Sequence, residues 1–137
     1  MQEDFLHYIW KHKTFDTAKL INTKGEVIHI NQLGQHNHNA GPDFFNAKLR
    51  IDNQLWAGNV EIHINSSDWY LHNHEKDKAY DNVILHVVWN DDAEIFRKDN
   101  STIPTLEIKD FILPQTFNNY KELFSQNRKW INCENTI

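Results

Sequence analysis

Two acidic residues and a histidine lie at corresponding ends of two neighbouring predicted strands. Asp43 comes directly before the predicted strand Phe44–Ile51, whereas Glu61 and His63 lie in the second half of the next one, Gln54–Asn65. A tight turn joins the strands into an antiparallel hairpin, which brings Asp43 and Glu61 to the same end of it. Adjacent carboxylates repel each other unless a cation binds between them, and oxygen ligands favour Mg²⁺ or Mn²⁺. The sequence therefore predicts a divalent-metal site at Asp43 and Glu61, with His63 beside it to take or give a proton near neutral pH.

The strand that carries Glu61 has a polar face of unusual composition. Side chains alternate between the two faces of a sheet. The alternation predicts an apolar face of Trp56, Val60, Ile62 and Ile64, and a polar face of Asn59, Glu61, His63 and Asn65. An ordinary strand with one face in solvent would explain this polarity. Asparagine is a poor strand former, however, so a functional role for the polar face is the competing interpretation.

Histidines provide a second candidate set of metal ligands. The chain has nine, and most of them lie between His36 and His86. Zn²⁺ takes three or four ligands in near-tetrahedral geometry, and imidazole nitrogens suit it. The candidate zinc ligands are His36, His38, His63, His72 and His74. A short helix is predicted at Trp69–His74, where residues two apart point in different directions, so His72 and His74 are not expected to share one ion.

These candidate residues require a sheet with helices packed against it. The predicted elements are a helix at residues 2–11, strands at Ala18–Asn22 and Glu26–Gln32, the hairpin strands, strands at Val83–Trp89 and Ser101–Ile108, and a closing helix from Pro114 through Phe117–Phe124. The strand Val83–Trp89 is apolar on both faces, so it should lie inside the sheet with His86 as a core histidine bonded to a neighbour. The predicted fold class is α/β (α+β), a central mixed β-sheet flanked by helices, in one domain over residues 1–137.

The order of these motifs resembles the active-site core of the PD-(D/E)xK nuclease superfamily. Gly41-Pro42-Asp43, a hairpin and Glu61-Ile62-His63 follow one another as in that core, and the predicted elements are similar to its restriction-endonuclease-like αβββαβ arrangement. The resemblance implies a metal-dependent nuclease acting on DNA or RNA, in which Asp43 and Glu61 bind the metal. It also implies that Glu3 corresponds to the first-helix glutamate and that His63 replaces the lysine that activates or positions the attacking water.

Four longer stretches are similar to a bacterial family known as domain of unknown function 2851. They are FLHYIW (Phe5–Trp10), GQHNHNAGPDFFNAKL (Gly34–Leu49), WAGNVEIHINSSDWYLHNH (Trp56–His74) and DKAYDNVILHVVW (Asp77–Trp89). Together they cover nearly the whole chain. The resemblance implies the N-terminal part of a longer bacterial protein, an expectation that the tail Trp130–Ile137 supports because it has no clear cap or stop signal.

Composition limits the classes of function. The net charge of −5 counts against a broad nucleic-acid-coating surface, although metal-binding carboxylates also contribute negative charge. The first residues, MQEDFLHYIW, contain no long apolar run, so neither a signal peptide nor a membrane span is expected. The single cysteine, Cys133, fits a reducing compartment, so the cytoplasm is the expected location. Three functions stay open: a metal-dependent nuclease, a zinc-binding hydrolase or module, and a non-catalytic interaction domain with a decayed nuclease core.

Overall fold

The computed structural model describes residues 2–118, except for the side chain of Glu75. Its main elements are α1 (Glu3–His12), β1 (Ile28–Gln32), β2 (Gln35–His36), β3 (Phe44–Ile51), β4 (Gln54–Asn65), α2 (Asp68–Leu71), β5 (Val83–Asn90) and β6 (Thr105–Glu107). Short 3₁₀ turns lie at His74–Lys76, Lys78–Tyr80 and Ile108–Phe111. Residues 114–118 are helical, where the closing helix is predicted to begin; the rest of that helix and the tail at 130–137 lie outside the described residues. Within the described part, no helix is long and apolar enough to cross a membrane.

The strands form one mixed sheet. Its order is β1-β3-β4-β5-β6, and the two-residue β2 also pairs with β3. Strand β3 runs antiparallel to both β1 and β4, whereas β5 is parallel to β4 and β6 is parallel to β5. The connection from β4 to β5 passes through α2 and two 3₁₀ turns, which makes room for the parallel crossover. The prediction of a mixed sheet flanked by helices is confirmed.

Both faces of β4 are covered, which makes it the strand that positions the site. Helix α1 buries an apolar stripe made of Phe5, Leu6, Ile9 and Trp10. This helical spacing places the stripe in the same core as Val60 and Ile62 on one face of β4. A second apolar cluster, which includes Trp69 of α2 and Tyr80, lies on the other side of the sheet. Side chains of both parities are consequently shielded from water at residues 60–63 of β4, whereas its first four residues are exposed.

One predicted strand is missing, a second is much shorter than expected, and the strand predicted at Glu26–Gln32 begins two residues later, at Ile28. Instead of a strand at Ala18–Asn22, the structure has an isolated bridge at Ile21, because the Asn22 side chain accepts hydrogen bonds from the amides two and four residues on and holds a turn. A short polar side chain that bonds the nearby backbone competes with strand pairing in this way. The predicted strand Ser101–Ile108 is reduced to β6, which begins after Pro104, a residue that has no amide to donate to the ladder.

Gly58 lets β5 approach β4 where the two strands begin to pair. A side-chain carbon at this position would lie 2.5 Å from the carbonyl oxygen of Asn82 and 2.6 Å from a methyl carbon of Ile84. We therefore expect Gly58→Ala to lower the free energy of unfolding by about 1–3 kcal/mol, the usual cost of overpacking, as measured by urea unfolding. Ala57→Ser, at the exposed neighbouring position, should change it by less than about 0.5 kcal/mol. An equally small effect at Gly58 would contradict the close approach of the strands.

Candidate metal centre

Asp43 and Glu61 are held together by the register of the β3–β4 hairpin. Phe44 pairs with Val60 in the antiparallel ladder, so Asp43, one residue before Phe44, lies opposite Glu61, one residue after Val60. The amide of Asp43 donates to Glu61 Oε1 at 3.1 Å, and the amide of Ile62 donates to Asp43 Oδ2 at 2.7 Å. The structure therefore brings the two acids together, as the hairpin pattern predicts.

Glu61 and His63 do not face solvent. Their exposed fractions are 4% and 1%, so the interpretation of this strand face as ordinary solvent-facing surface is wrong. The reason is that α2 and the 3₁₀ segment after it cover the face. A carboxyl group and an imidazole at such positions need polar partners, because burying either one without a hydrogen bond is costly.

The first set of partners is called here the carboxylate side of the site, and it consists of Glu3 and His7 of α1 together with Asp43, which precedes β3. His7 Nε2 lies 3.4 Å from Glu3 Oε1 and 3.8 Å from Asp43 Oδ2. The three residues offer ligand atoms that all lie within 4.8 Å of one another. The sequence pattern does not single out His7, although its position four residues after Glu3 on a predicted helix places both on one face.

The second set, called here the imidazole triad, consists of His63, His72 and His74. His63 Nε2 lies 3.2 Å from His72 Nδ1. Glu61 Oε2 lies 2.8 Å from His74 Nε2 and 3.4 Å from His63 Nε2. Ligand atoms of the triad are all within 4.8 Å of one another. Glu61 thus directs one oxygen to each side of the site.

The convergence of His72 and His74 corrects the expectation that they point apart. That expectation assumed a helix through His74, but α2 ends at Leu71. Asn73 then adopts a left-handed conformation with φ of 57°, a geometry that asparagine tolerates better than most residues. The bend at Asn73 turns the two imidazoles toward the same point.

A further layer of side chains fixes the imidazole triad. His86, which is fully buried, lies on β5 with its Nε2 at 2.7 Å from His63 Nδ1, so the predicted core histidine bonds a neighbour as expected. The Tyr80 ring stacks on His74 with centroids 3.8 Å apart, and Trp69 packs edge-on against the same imidazole. These contacts restrict the ring orientations before any ligand binds.

The remaining two candidate zinc ligands lie elsewhere. His36 Nε2 is 3.5 Å from His7 Nδ1, and the His36 ring stacks on Phe44. His38 packs against His36 and is exposed. The set of five histidines considered from the sequence is therefore divided, with three in the imidazole triad and two beside the carboxylate side.

Burial and mutual repulsion keep one proton on this pair of acids, at Glu61, in the metal-free protein. Burial raises the pKa of Glu61 to about 10, and the nearby charge of Asp43 contributes to the increase. Burial also raises the pKa of Asp43, although His7 and the amide of Ile62 oppose the shift. Two carboxyl groups this close cannot both ionise without compensation. A divalent cation is the natural replacement for the proton that they hold.

The pKa values of the histidines in the site are shifted in different directions. Burial lowers the pKa of His63 to about 3, against the opposing attraction of Glu3, and burial also lowers the pKa of His86 well below its ordinary value. Burial alone would lower the pKa of His7, but its hydrogen bond to Glu3 and the charge of Asp43 outweigh burial and raise it. His63 is therefore neutral near pH 7, which corrects the expectation that it titrates there.

The fold and the site define a class of protein: a mixed α+β domain with a buried histidine–carboxylate centre on a central strand. Residues 3–137 match the family described as Protein of unknown function (DUF2851), and the chain belongs to that family. No curated protein and no solved structure matches it. Its function is therefore inferred from the chemistry of the site itself.

The pKa shifts predict how stability depends on pH in the metal-free protein. Glu61 holds its proton in the folded state and loses it in the unfolded state, so its contribution falls as pH rises above 4.5 toward about 10. His63 acts in the opposite direction, but only between about pH 3 and its ordinary value of 6.5. Between about pH 7 and 9 the Glu61 effect remains, and unfolding free energy should fall by up to about 1 kcal/mol per pH unit.

Urea unfolding of chelator-treated protein at several pH values measures this slope. Glu61→Gln keeps the shape of the side chain and removes its titration, so it should flatten the slope. The exposed Glu94→Gln change is the control and should leave the slope as it is in the wild type. The raised pKa of His7 leaves a smaller slope of the same sign. A slope in Glu61→Gln as steep as that of the wild type would show that a group other than Glu61 holds the proton.

Proposed function

We propose that this domain is a divalent-metal-dependent phosphodiester hydrolase that acts on nucleic acid, with Asp43 and Glu61 holding Mg²⁺ or Mn²⁺. The observation that carries the proposal is the contact between these two acids at the end of the β3–β4 hairpin. Their carboxylate oxygens are the hard ligands that both ions prefer. His7 lies between Glu3 and Asp43 and contacts both carboxyl groups. This position supports the assignment of Glu3 as the first-helix glutamate.

The order of the elements supports the same proposal. One helix, an antiparallel run of three strands, a helical crossover and a strand parallel to the third follow one another along the chain. Apart from the two-residue β2, this order agrees with the αβββαβ core that the motif spacing resembles. Asp43 directly precedes the second strand of that run and Glu61 lies in the third.

The protein groups and the metal would divide the chemistry between them. A bound ion would lower the pKa of a coordinated water and offset the negative charge of a phosphate. Asp43 and Glu61 would hold the ion in place of the shared proton. His63 is neutral and 3.4 Å from Glu61 Oε2, so it would orient this carboxylate and contribute no positive charge. His7, whose pKa is raised, is the better candidate for a cation beside Asp43.

A non-catalytic domain with a decayed nuclease core is the second candidate. The observation that favours it is the neutral, buried imidazole of His63 at the position of the motif lysine. A buried neutral group cannot replace the constant charge of a lysine ammonium. In that case Asp43 and Glu61 would remain as part of a structural hydrogen-bond network.

Metal should stabilise the folded domain, because only the folded state brings Asp43 and Glu61 together. Mn²⁺ at one hundred times its Kd should add about 2.7 kcal/mol to the unfolding free energy, and thermal melts with and without the ion measure the effect. Asp43→Asn keeps an oxygen for the Ile62 amide and should abolish most of the shift. The exposed Asp81→Asn change should preserve it. Equal shifts in both variants would remove Asp43 from the metal site.

Cleavage of end-labelled DNA and RNA oligonucleotides, single- and double-stranded, tests the reaction. Wild-type protein with Mn²⁺ should cut at least one of them, and Asp43→Asn should lower the rate by at least about 100-fold. His29→Ala, which changes an exposed histidine of β1, should not. Wild-type protein that binds Mn²⁺ but cuts none of the substrates would exclude the nuclease.

His63→Lys separates the two candidate functions. If the wild type is inactive and His63→Lys restores cutting, the decayed-core proposal is supported. If the wild type is active, His63→Ala should lose activity because Glu61 is no longer oriented. Equal cutting by wild type and His63→Ala would remove His63 from the mechanism. Circular dichroism of each variant checks that the fold is retained.

A further inference from the structure

Four ligand atoms on the side of Glu61 away from Asp43 point toward one another. They are His63 Nε2, His72 Nδ1, His74 Nε2 and Glu61 Oε2. Two segments of the chain supply them. Glu61 and His63 come from β4, whereas His72 and His74 follow the end of α2. The carboxylate side of the site does not use these nitrogens.

Three separations among these atoms are comparable with those around a tetrahedral ion. Ligands at about 2.0–2.1 Å from Zn²⁺ in tetrahedral geometry lie about 3.3–3.4 Å apart. The observed separations are 3.2 Å between His63 and His72, 3.4 Å between His63 and Glu61, and 2.8 Å between His74 and Glu61. The separation between His74 and Glu61 is a hydrogen-bond distance, shorter than tetrahedral coordination requires, so His74 would move outward to admit an ion.

The surroundings of the four atoms have the features of a metal site. His63 contacts His86 through its other ring nitrogen at 2.7 Å, as histidine ligands of metals usually contact a second partner that sets the ring orientation and tautomer. His74 is fixed by the stacked ring of Tyr80. His72 is exposed, and so provides a path by which an ion can enter from solvent.

The donor types decide which ion is favoured. Three imidazole nitrogens and one carboxylate oxygen suit Zn²⁺, whereas Mg²⁺ prefers oxygen ligands and octahedral geometry. The carboxylate side, with Glu3 and Asp43, is richer in oxygen. The two sides of the site therefore differ in ligand chemistry.

We propose that His63, His72, His74 and Glu61 Oε2 form a binding site for Zn²⁺, separate from the Mg²⁺ or Mn²⁺ position at Asp43. Because Glu61 directs Oε1 toward Asp43 and Oε2 toward the imidazole triad, its carboxylate bridges the two positions. The bridging role rests on the proposed function, whereas the zinc site depends only on the triad and Glu61 Oε2. Paired ions joined by one carboxylate act as a clamp on a phosphate group in hydrolases of nucleic acids.

Metal binding by the full chain, freed of metal by dialysis against a chelator, tests the zinc site. Titration calorimetry with Zn²⁺ measures affinity and stoichiometry. Co²⁺ titration followed by visible absorption reports whether the site is four-coordinate. We expect one tight Zn²⁺ site and the intense bands of four-coordinate Co²⁺. No tight Zn²⁺ binding by the wild type would overturn the inference.

Variants locate the ion. His72→Ala changes an exposed residue and should weaken Zn²⁺ binding by at least about 10- to 100-fold. Mutation of a residue that only contacts a metal ligand already lowers metal affinity by about that factor. It should also remove the Co²⁺ bands. His29→Ala and His38→Ala, at exposed histidines outside the triad, should keep both. Unchanged affinity in His72→Ala, or equal losses in the control variants, would overturn the site in favour of surface binding.

Asp43→Asn distinguishes failure of this inference from failure of the proposed function. If the zinc site is separate, Asp43→Asn should retain tight Zn²⁺ binding while it loses the stabilisation by Mn²⁺. Loss of Zn²⁺ binding in this variant would overturn the separation of the two positions. Zinc bound by the triad in a protein that cuts no nucleic acid would support the site and exclude the nuclease. Cutting with Mn²⁺ by a protein that does not bind Zn²⁺ tightly would support the nuclease and overturn the zinc site.

Discussion

The Glu61 carboxyl group is the point on which the arrangement of this domain depends. One of its oxygens accepts from the Asp43 amide and the other contacts His74 and His63. A buried carboxyl needs such partners, because losing its hydration without replacement is costly. They come from three places: the start of β3, β4 itself, and the segment after α2. The hairpin register and the bend at Asn73 both act to bring polar groups to this position.

The polar centre is not explained by stability. Apolar residues of α1 cover one face of β4, and Trp69 and Tyr80 belong to a second apolar cluster on the other side of the sheet. Well-packed apolar side chains at Glu61 and His63 would continue these cores at no lower stability, since buried ionic groups are commonly neutral or unfavourable for folding. Strongly shifted pKa values at groups that contact one another are instead typical of functional sites. The fold therefore supports a centre that folding alone does not require.

Local patterns in the sequence predict some of this arrangement and not the rest. The contact of Asp43 with Glu61 follows from the alternation of β4 and a tight turn, both of which are short-range. The approach of His72 to His74 depends on a single left-handed residue, Asn73, which helical spacing does not reveal. His7 joins the site because α1 packs across the sheet, a long-range contact. Only the resemblance to the nuclease superfamily points to its partner Glu3. The burial of the polar face of β4 depends on which segments cover it, which is also a long-range property.

The net charge of the chain is a poor guide to what approaches this centre. The value of −5 counts every carboxyl as ionised, but burial raises the pKa values of both Asp43 and Glu61. His63 and His86 are neutral for the same reason. Each divalent ion bound here would displace protons and add two positive charges, and bound cations are commonly the largest local charges in such sites. In the proposed arrangement, attraction of a phosphate depends more on the ions at the buried site than on surface lysines. The chain has more acidic than basic residues, so its lysines and arginines do not give it a net positive charge.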